Sequence, residues 1–405
     1  MTPEWVSTAP APQRERLLSL DVFRGLTIAG MLLVNNPGSW ANIYDPLEHA
    51  AWNGWTPTDL IFPFFLFIVG ITTHLSVAAH RERGDEDHEI VRSILRRGAL
   101  IFVFGLLLNF FPGFTWANVA GNPDATFLER IADRVAHLRI MGVLQRIALA
   151  YTMAALFTLR TTLKTQVIIL AMLLFGSWFA FTLLPVPGTG LLGYWGNNVP
   201  QLTLEGWLDR IVLGKHMWVG ATTHEPEGIL STFAAVGTAM LGVMAGRWIA
   251  DRPRPLEERL NGLFAMGALA MVVGLMWHWS YPINKNLWTS SYVVFAAGMA
   301  SVTLATVMWV VEIQDQNWWT RPFLMFGMNP IVAFVGSGIM ARLIYSIIKV
   351  PLDGRQVSVV EYIYRRLLVT WLPPKMASLA FAIAFDLVWL VILSWMYRRR
   401  IFLKV

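Results

Sequence analysis

The sequence predicts an all-α, polytopic integral membrane protein of about ten transmembrane helices with both ends on the cytoplasmic side, and three observations carry that reading. The 405-residue chain is 55% hydrophobic and only 14% charged, whereas soluble domains are about one quarter charged. Its apolar runs approach or exceed the roughly 20 residues that cross a hydrocarbon core. Of its 32 Lys and Arg, 19 fall in segments that a cytoplasmic N-terminus places inside, and inside loops accumulate these residues.

Residues 1–17 read as a short cytoplasmic tail and 18–405 as one membrane domain. The tail, MTPEWVSTAPAPQRER, holds acidic and proline residues where a secretory signal needs a basic start and an apolar core. The spans run approximately 20–39, 57–79, 97–112, 141–159, 166–185, 229–249, 261–280, 289–311, 323–345 and 376–397. In the first, Asp21 and Arg24 sit at i and i+3, where they can pair on one helix face or present a cation to an anionic cofactor. Its far end is Asn35-Asn36. The second opens Thr56-Pro57-Thr58-Asp59, a helix start with proline at its first position and a carboxylate favoured by the dipole, so capping is the simplest role for Asp59. Gln145 and Arg146 interrupt the start of the fourth span, and Glu225 and Glu227 precede the sixth. Lys285, Asn286 and Trp288 lie in PINKNLWTSS between the seventh and eighth. Asn329-Pro330 breaks the ninth, where Asn329 would satisfy the carbonyl freed by the proline kink.

Ionisable groups at membrane depth are costly unless paired or hydrated. Their recurrence at outer helix ends predicts a polar vestibule on the non-cytoplasmic face. The long outside loops, about 112–140, 186–228 and 346–375, are expected to carry short helices of their own.

The chain has no cysteine, which removes thiolate metal sites and cysteine nucleophiles. No HExxH or clustered ligand spacing suggests a metal. P-loop, GxGxxG and GxSxG motifs are absent, and the basic residues form no face or arm for nucleic acid. His49, in HAAWNGW, reads either as an interfacial imidazole among aromatic anchors or as a base or nucleophile that titrates near neutrality.

SLDVFRGL, HAAWNGWTPTDLIFPFFLFIVG, GVLQRIALAY, EPEGILST, PINKNLWTSSYV and PFLMFGMNP occur in this order. Together they resemble the heparan-α-glucosaminide N-acetyltransferase family and its bacterial NagX-type relatives, over essentially Leu18 to Val405. The resemblance implies transfer of acetyl from cytosolic acetyl-CoA to the amine of an amino sugar on the opposite side. His49 matches the catalytic histidine, and Asn35 the asparagine beside it, with Asn36 the alternative because the loop to His49 differs in length. Asp59 joins His49 and Asn35 in the expected catalytic set, suited with Glu227 to receive the ammonium or sugar hydroxyls; side and charge then assign Glu227, Arg146, Gln145, Lys285, Asn286 and Trp288 to the sugar, and Arg24 and Asn329 to coenzyme A. The expected setting is a bacterial cytoplasmic (inner) membrane, with a homodimer compatible and nucleic acid excluded. A secondary transporter of a sugar or acetylated amino sugar is the alternative, and the lack of an internal repeat weighs against it.

Overall fold

The computed structural model describes residues 17–115, 119, 121–122, 124–221 and 223–403. The expected tail therefore lies outside the described residues up to Glu15 and Arg16. Membrane-length helices are α1 (Leu18–Asn35), α2 (Pro57–Glu82), α3 (Asp87–Phe110), α5 (Val143–Arg160) and α6 (Leu163–Leu183) in the first half, with the short α4 (Phe127–Ala136) between α3 and α5. The single turn α7 (Gly193–Gly196) and α8 (Leu204–Val212) follow, then α9 (Ile229–Ile249), α10 (Leu256–His278) and α11 (Ser290–Met308). The chain closes with α12 (Thr320–Met328), α13 (Pro330–Arg342), α14 (Val359–Ile363) and α15 (Pro374–Arg398).

Among the described residues, eight helices are long and apolar enough to cross a membrane, against about ten expected. The other two expected spans are α3 and α5, which are themselves 24 and 18 residues long. α3 begins at Asp87, ten residues before its expected start, so only Arg83–Glu86 separate it from α2. The expected ninth span is two helices that meet at Asn329. The three long connecting segments do carry short helices, and one departs from the all-helical pattern. β1 (Lys349–Leu352) and β2 (Arg355–Ser358) pair antiparallel across Asp353-Gly354. Both turn residues have positive φ, 49° and 77°, the requirement of a two-residue hairpin turn that Asp-Gly satisfies.

Burial separates centre from rim. The apolar window of α9 is 72% buried, whereas that of α6 is 17% buried. α9 thus lies inside the bundle and α6 presents most of its surface outward. Small residues allow the central crossings. A Cβ on Gly242 of α9 would lie 2.1 Å from the Phe67 carbonyl oxygen, and one on Gly70 of α2 would lie 2.0 Å from that of Ala239. α1 and α12 meet the same way, through Gly25 against Phe323 and Gly327 against Asp21. Without a hydrophobic drive between helices in lipid, such close backbone approach supplies the packing that associates them.

Candidate active site

The segment 49–59 hangs from the start of α2 and is tied down at both ends. Asp59 Oδ2 accepts the amide hydrogens of Thr56 at 3.1 Å and Ala50 at 3.0 Å, forming the reciprocal cap expected of a Thr-x-x-Asp start. The Thr56 hydroxyl donates to the Glu48 carbonyl at 2.5 Å, and that of Thr58 to Pro46 at 3.2 Å. The Trp52 indole donates to Asn197 before α8, at 2.6 Å. The loop 281–289 closes the other side: Gly54 donates to the Ile283 carbonyl at 2.8 Å, and the Asn284 amide to Asn53 at 3.1 Å.

This fastening brings three ionisable groups together. Asp59 Oδ1 lies 2.7 Å from His49 Nδ1. Lys285 Nζ lies 3.0 Å and 3.2 Å from the two imidazole nitrogens and 3.6 Å from Asp59 Oδ1. The Asp59 side chain is 1% exposed and that of His49 is 46% exposed. One group is sealed and the other opens onto space. With its proton on Nδ1, the imidazole donates to Asp59 and leaves the Nε2 lone pair available.

His49, Lys285, Asn35, Glu227 and Thr58 share the wall of one cavity of about 210 Å³, which continues between α1, α2, α5 and α13 past Met31, Phe65, Ile147 and Phe334. Its polar groups gather at one end and its remaining wall is almost wholly apolar. Asn35 stands in that wall, whereas the buried Asn36 amide donates to the Leu32 carbonyl at 2.8 Å and finishes α1.

Residues 16–202 match the model of the heparan-alpha-glucosaminide N-acetyltransferase catalytic region. The human heparan-alpha-glucosaminide N-acetyltransferase is 29% identical over 435 residues, covering 96% of this chain and 60% of its own. The mouse protein of that name is 30% identical over 375 residues, covering 80% and 54%. Over these lengths the chain is similar to the heparan-α-glucosaminide N-acetyltransferases. It spans about 54 to 60% of the length of these two relatives. The matched residues 16–202 include Asn35, His49 and Asp59 and stop before Glu227 and Lys285, which the structure places on the same cavity wall as Asn35 and His49.

Outside the cavity wall, a buried network supports Glu227. Arg139 bridges Glu225 and Glu227, and the Trp218 amide donates to Glu225 at 2.8 Å. Burial opposes the charge on Arg139, yet the two carboxylates outweigh it and raise its pKa. For Glu227 burial is likewise overcome, by Arg139, Arg146 and Lys285, which hold its carboxyl below the usual range. Lys285 moves the other way: burial lowers the ammonium pKa against the pull of Asp59 and Glu227. Glu205 and Asp209 of α8 cap α9, accepting the amides of Ser231 at 2.8 Å and Ile229 at 3.1 Å. Burial, reinforced by Asp209, pushes the Glu205 carboxyl well up.

The other expected site residues sit apart from the cavity wall. Arg146 is fully buried, lies 5.0 Å from the Trp288 ring and donates to Ser231 Oγ. Trp288 is buried too, and its indole donates to Thr238 at 3.0 Å. Gln145 faces α3, where its side-chain oxygen would meet a Cβ on Gly105 at 2.5 Å. Asn286 is half-buried in the 281–289 turn, beside Asn284, whose side chain makes the cross-loop bond. At the opposite end, Arg24 donates to Asp21 at 2.7 Å and to the Gly327 carbonyl at 2.6 Å. Asn329 does not satisfy its own helix as the kink reading expects. Its amide donates to the Ile401 carbonyl and accepts from the Leu403 amide, each at 3.0 Å, so it clamps the C-terminal segment. Sequence reasoning missed Arg139, Asn284, Glu205 and Asp209. The acidic pair sits at i and i+4 on a short amphipathic helix, a spacing that signals a shared face.

Proposed function

We propose that this chain is a transmembrane acetyltransferase that moves acetyl from acetyl-CoA, supplied from the cytoplasmic side, to the amine of a glucosamine-type sugar on the other side. The observation that carries the proposal is the His49, Asp59 and Lys285 cluster at the polar end of a largely apolar cavity. An amino-sugar ammonium must lose a proton before its nitrogen attacks a thioester. His49 Nε2, which faces the Lys285 amine at 3.2 Å, is suited to take it, either directly or after carrying the acetyl group itself. Asp59 holds the tautomer with the proton on Nδ1 and stabilises the imidazolium that forms.

Asn35 reaches the same cavity as a neutral donor to the developing thioester oxyanion. Glu227, held as a carboxylate by its cationic neighbours, is suited to receive the sugar ammonium or hydroxyls. The apolar bore between α1, α2, α5 and α13 gives the thioester arm a dry approach. Coenzyme A phosphates would meet basic groups at the inner end, where Arg24 belongs to the set only after sharing its guanidinium with Asp21 and Gly327. The similarity to these N-acetyltransferases supports this acyl-transfer reading, and the excess of Lys and Arg in the short inner loops supports both termini lying on the cytoplasmic side.

The test is transfer of labelled acetyl from acetyl-CoA to glucosamine by purified, reconstituted protein, run beside His49→Ala. Activity in the parent and a loss of about 10²- to 10⁴-fold in a folded variant are expected. Full activity in His49→Ala would remove His49 from the chemistry, and an inactive parent across several amino sugars would remove the acceptor class.

A further inference from the structure

The chain contains six lysines, and among the described residues Lys285 alone of them lines the cavity. Lys164, Lys215, Lys349 and Lys375 are exposed. We propose that Lys285 is itself an acetyl acceptor, so that acetyl-CoA bound without an amino sugar modifies the site from within. The inference rests on the acetyltransferase reading and adds an acceptor and a means of self-limitation to it.

The geometry is that of an acceptor already in place. Lys285 Nζ lies 3.2 Å from His49 Nε2, so an acetyl carbonyl brought up to the imidazole is also brought beside this amine, and a group held so close acts at a high effective concentration. An acetyl group delivered to the His49 end of the cavity is therefore within reach of a primary amine of the same chemical class as the sugar amine. Two features keep this slower than transfer to the sugar. Asp59, 3.6 Å away, stabilises the ammonium, and the Lys285 stem is anchored in the 281–289 turn, where Asn284 and Thr289 bond each other's backbone. Burial acts in the opposite sense, since a desolvated lysine gives up its proton more readily.

The step balances without another reactant. A C–N bond forms between the acetyl carbonyl carbon and Nζ as the thioester C–S bond breaks. The Lys285 ammonium loses two protons in all: one passes through His49 to solvent and the other ends on sulfur, releasing the free thiol of coenzyme A. The product is a neutral amide. It removes the cation that faces Asp59 and Glu227 and adds bulk beside His49, so a modified molecule transfers acetyl to sugar more slowly.

The experiment incubates the full-length purified chain, in lipid vesicles, with deuterated acetyl-CoA and no sugar, and then measures acetylation at each lysine by peptide mass spectrometry. Lys285 is expected to label at least about tenfold faster than the four exposed lysines, whose labelling reports uncatalysed transfer. Saturating glucosamine should suppress the Lys285 label and leave theirs unchanged. Labelling of Lys285 no faster than the exposed lysines, or undiminished by glucosamine, overturns the inference. Acetylglucosamine measured in the same samples separates the two claims. Sugar transfer with an unlabelled Lys285 refutes the internal acceptor and leaves the enzyme reading standing. Neither product refutes both, and fast Lys285 labelling without sugar transfer supports the internal acceptor while removing glucosamine as substrate.

Discussion

Asp59 Oδ2 takes the amides of Ala50 and Thr56 while Oδ1 faces His49 Nδ1, so a single carboxylate closes helix α2 and orients an imidazole. Asp59→Asn separates these roles. An asparagine oxygen still accepts the capping amides, but its NH₂ then points at Nδ1 and favours the tautomer with the proton on Nε2, where a base needs a lone pair. Acetyl transfer should fall by about 10²-fold or more, while stability changes by only about 1 kcal/mol, the usual scale of a cap. Transfer kinetics beside a thermal unfolding curve check this. A variant that unfolds readily yet keeps its turnover per folded molecule would make Asp59 a cap and nothing else. His49 and Asp59 were legible as separate candidates because a histidine among tryptophans and a carboxylate at a helix start are each local signals. Their 2.7 Å contact was not, since ten intervening residues can close in many ways. Arg139 and Asn284 were invisible for a related reason: their partners, Glu225 with Glu227 and Asn53, lie 86, 88 and 231 residues away.

Helices bring the site residues to one level through glycine contacts that hydropathy does not register. α2 carries Asp59 in its first turn, α9 begins two residues after Glu227, and they cross at Gly70 and Gly242. Gly242→Leu would drive a side chain into the Phe67 carbonyl and separate the two helices. Such overpacking costs typically about 1–3 kcal/mol, so the unfolding midpoint in detergent should drop and acetyl transfer with it. Gly176→Ala in α6 is the control: no heavy atom lies within 4 Å of its added Cβ, and a helical alanine should leave the midpoint unchanged or slightly higher. Equal effects from both substitutions would refute the crossing as a structural constraint. Apolar length revealed where most helices run, but not how they end. Asn329-Pro330 announced a break, yet the C-terminal segment that Asn329 binds lies more than 70 residues on. The hairpin at Asp353-Gly354 was present as a turn signal and was absorbed into a loop because its four-residue strands are too short for a clear alternation.

At the scale of the molecule, the direction of the proposed acetyl transfer depends on which helix ends face the cytoplasm. The starts of α2, α9 and α11 gather around His49 with the end of α1, as alternating spans require. The opposite ends carry basic segments, from Arg81 to Arg97 and from Arg247 to Arg259. The absence of cysteine makes the orientation directly measurable, because a single introduced thiol has no background. Arg83→Cys lies in the short turn between α2 and α3, and Arg355→Cys on the exposed side of β2. Each removes at most a surface cation, a change of about 0–1 kcal/mol. If the termini are cytoplasmic, a membrane-impermeant maleimide added to intact spheroplasts should label Arg355→Cys at once and Arg83→Cys only after lysis. The reverse pattern would place His49 on the cytoplasmic face, where acetyl-CoA needs no path through the bundle, and would replace transmembrane delivery with transfer on a single side.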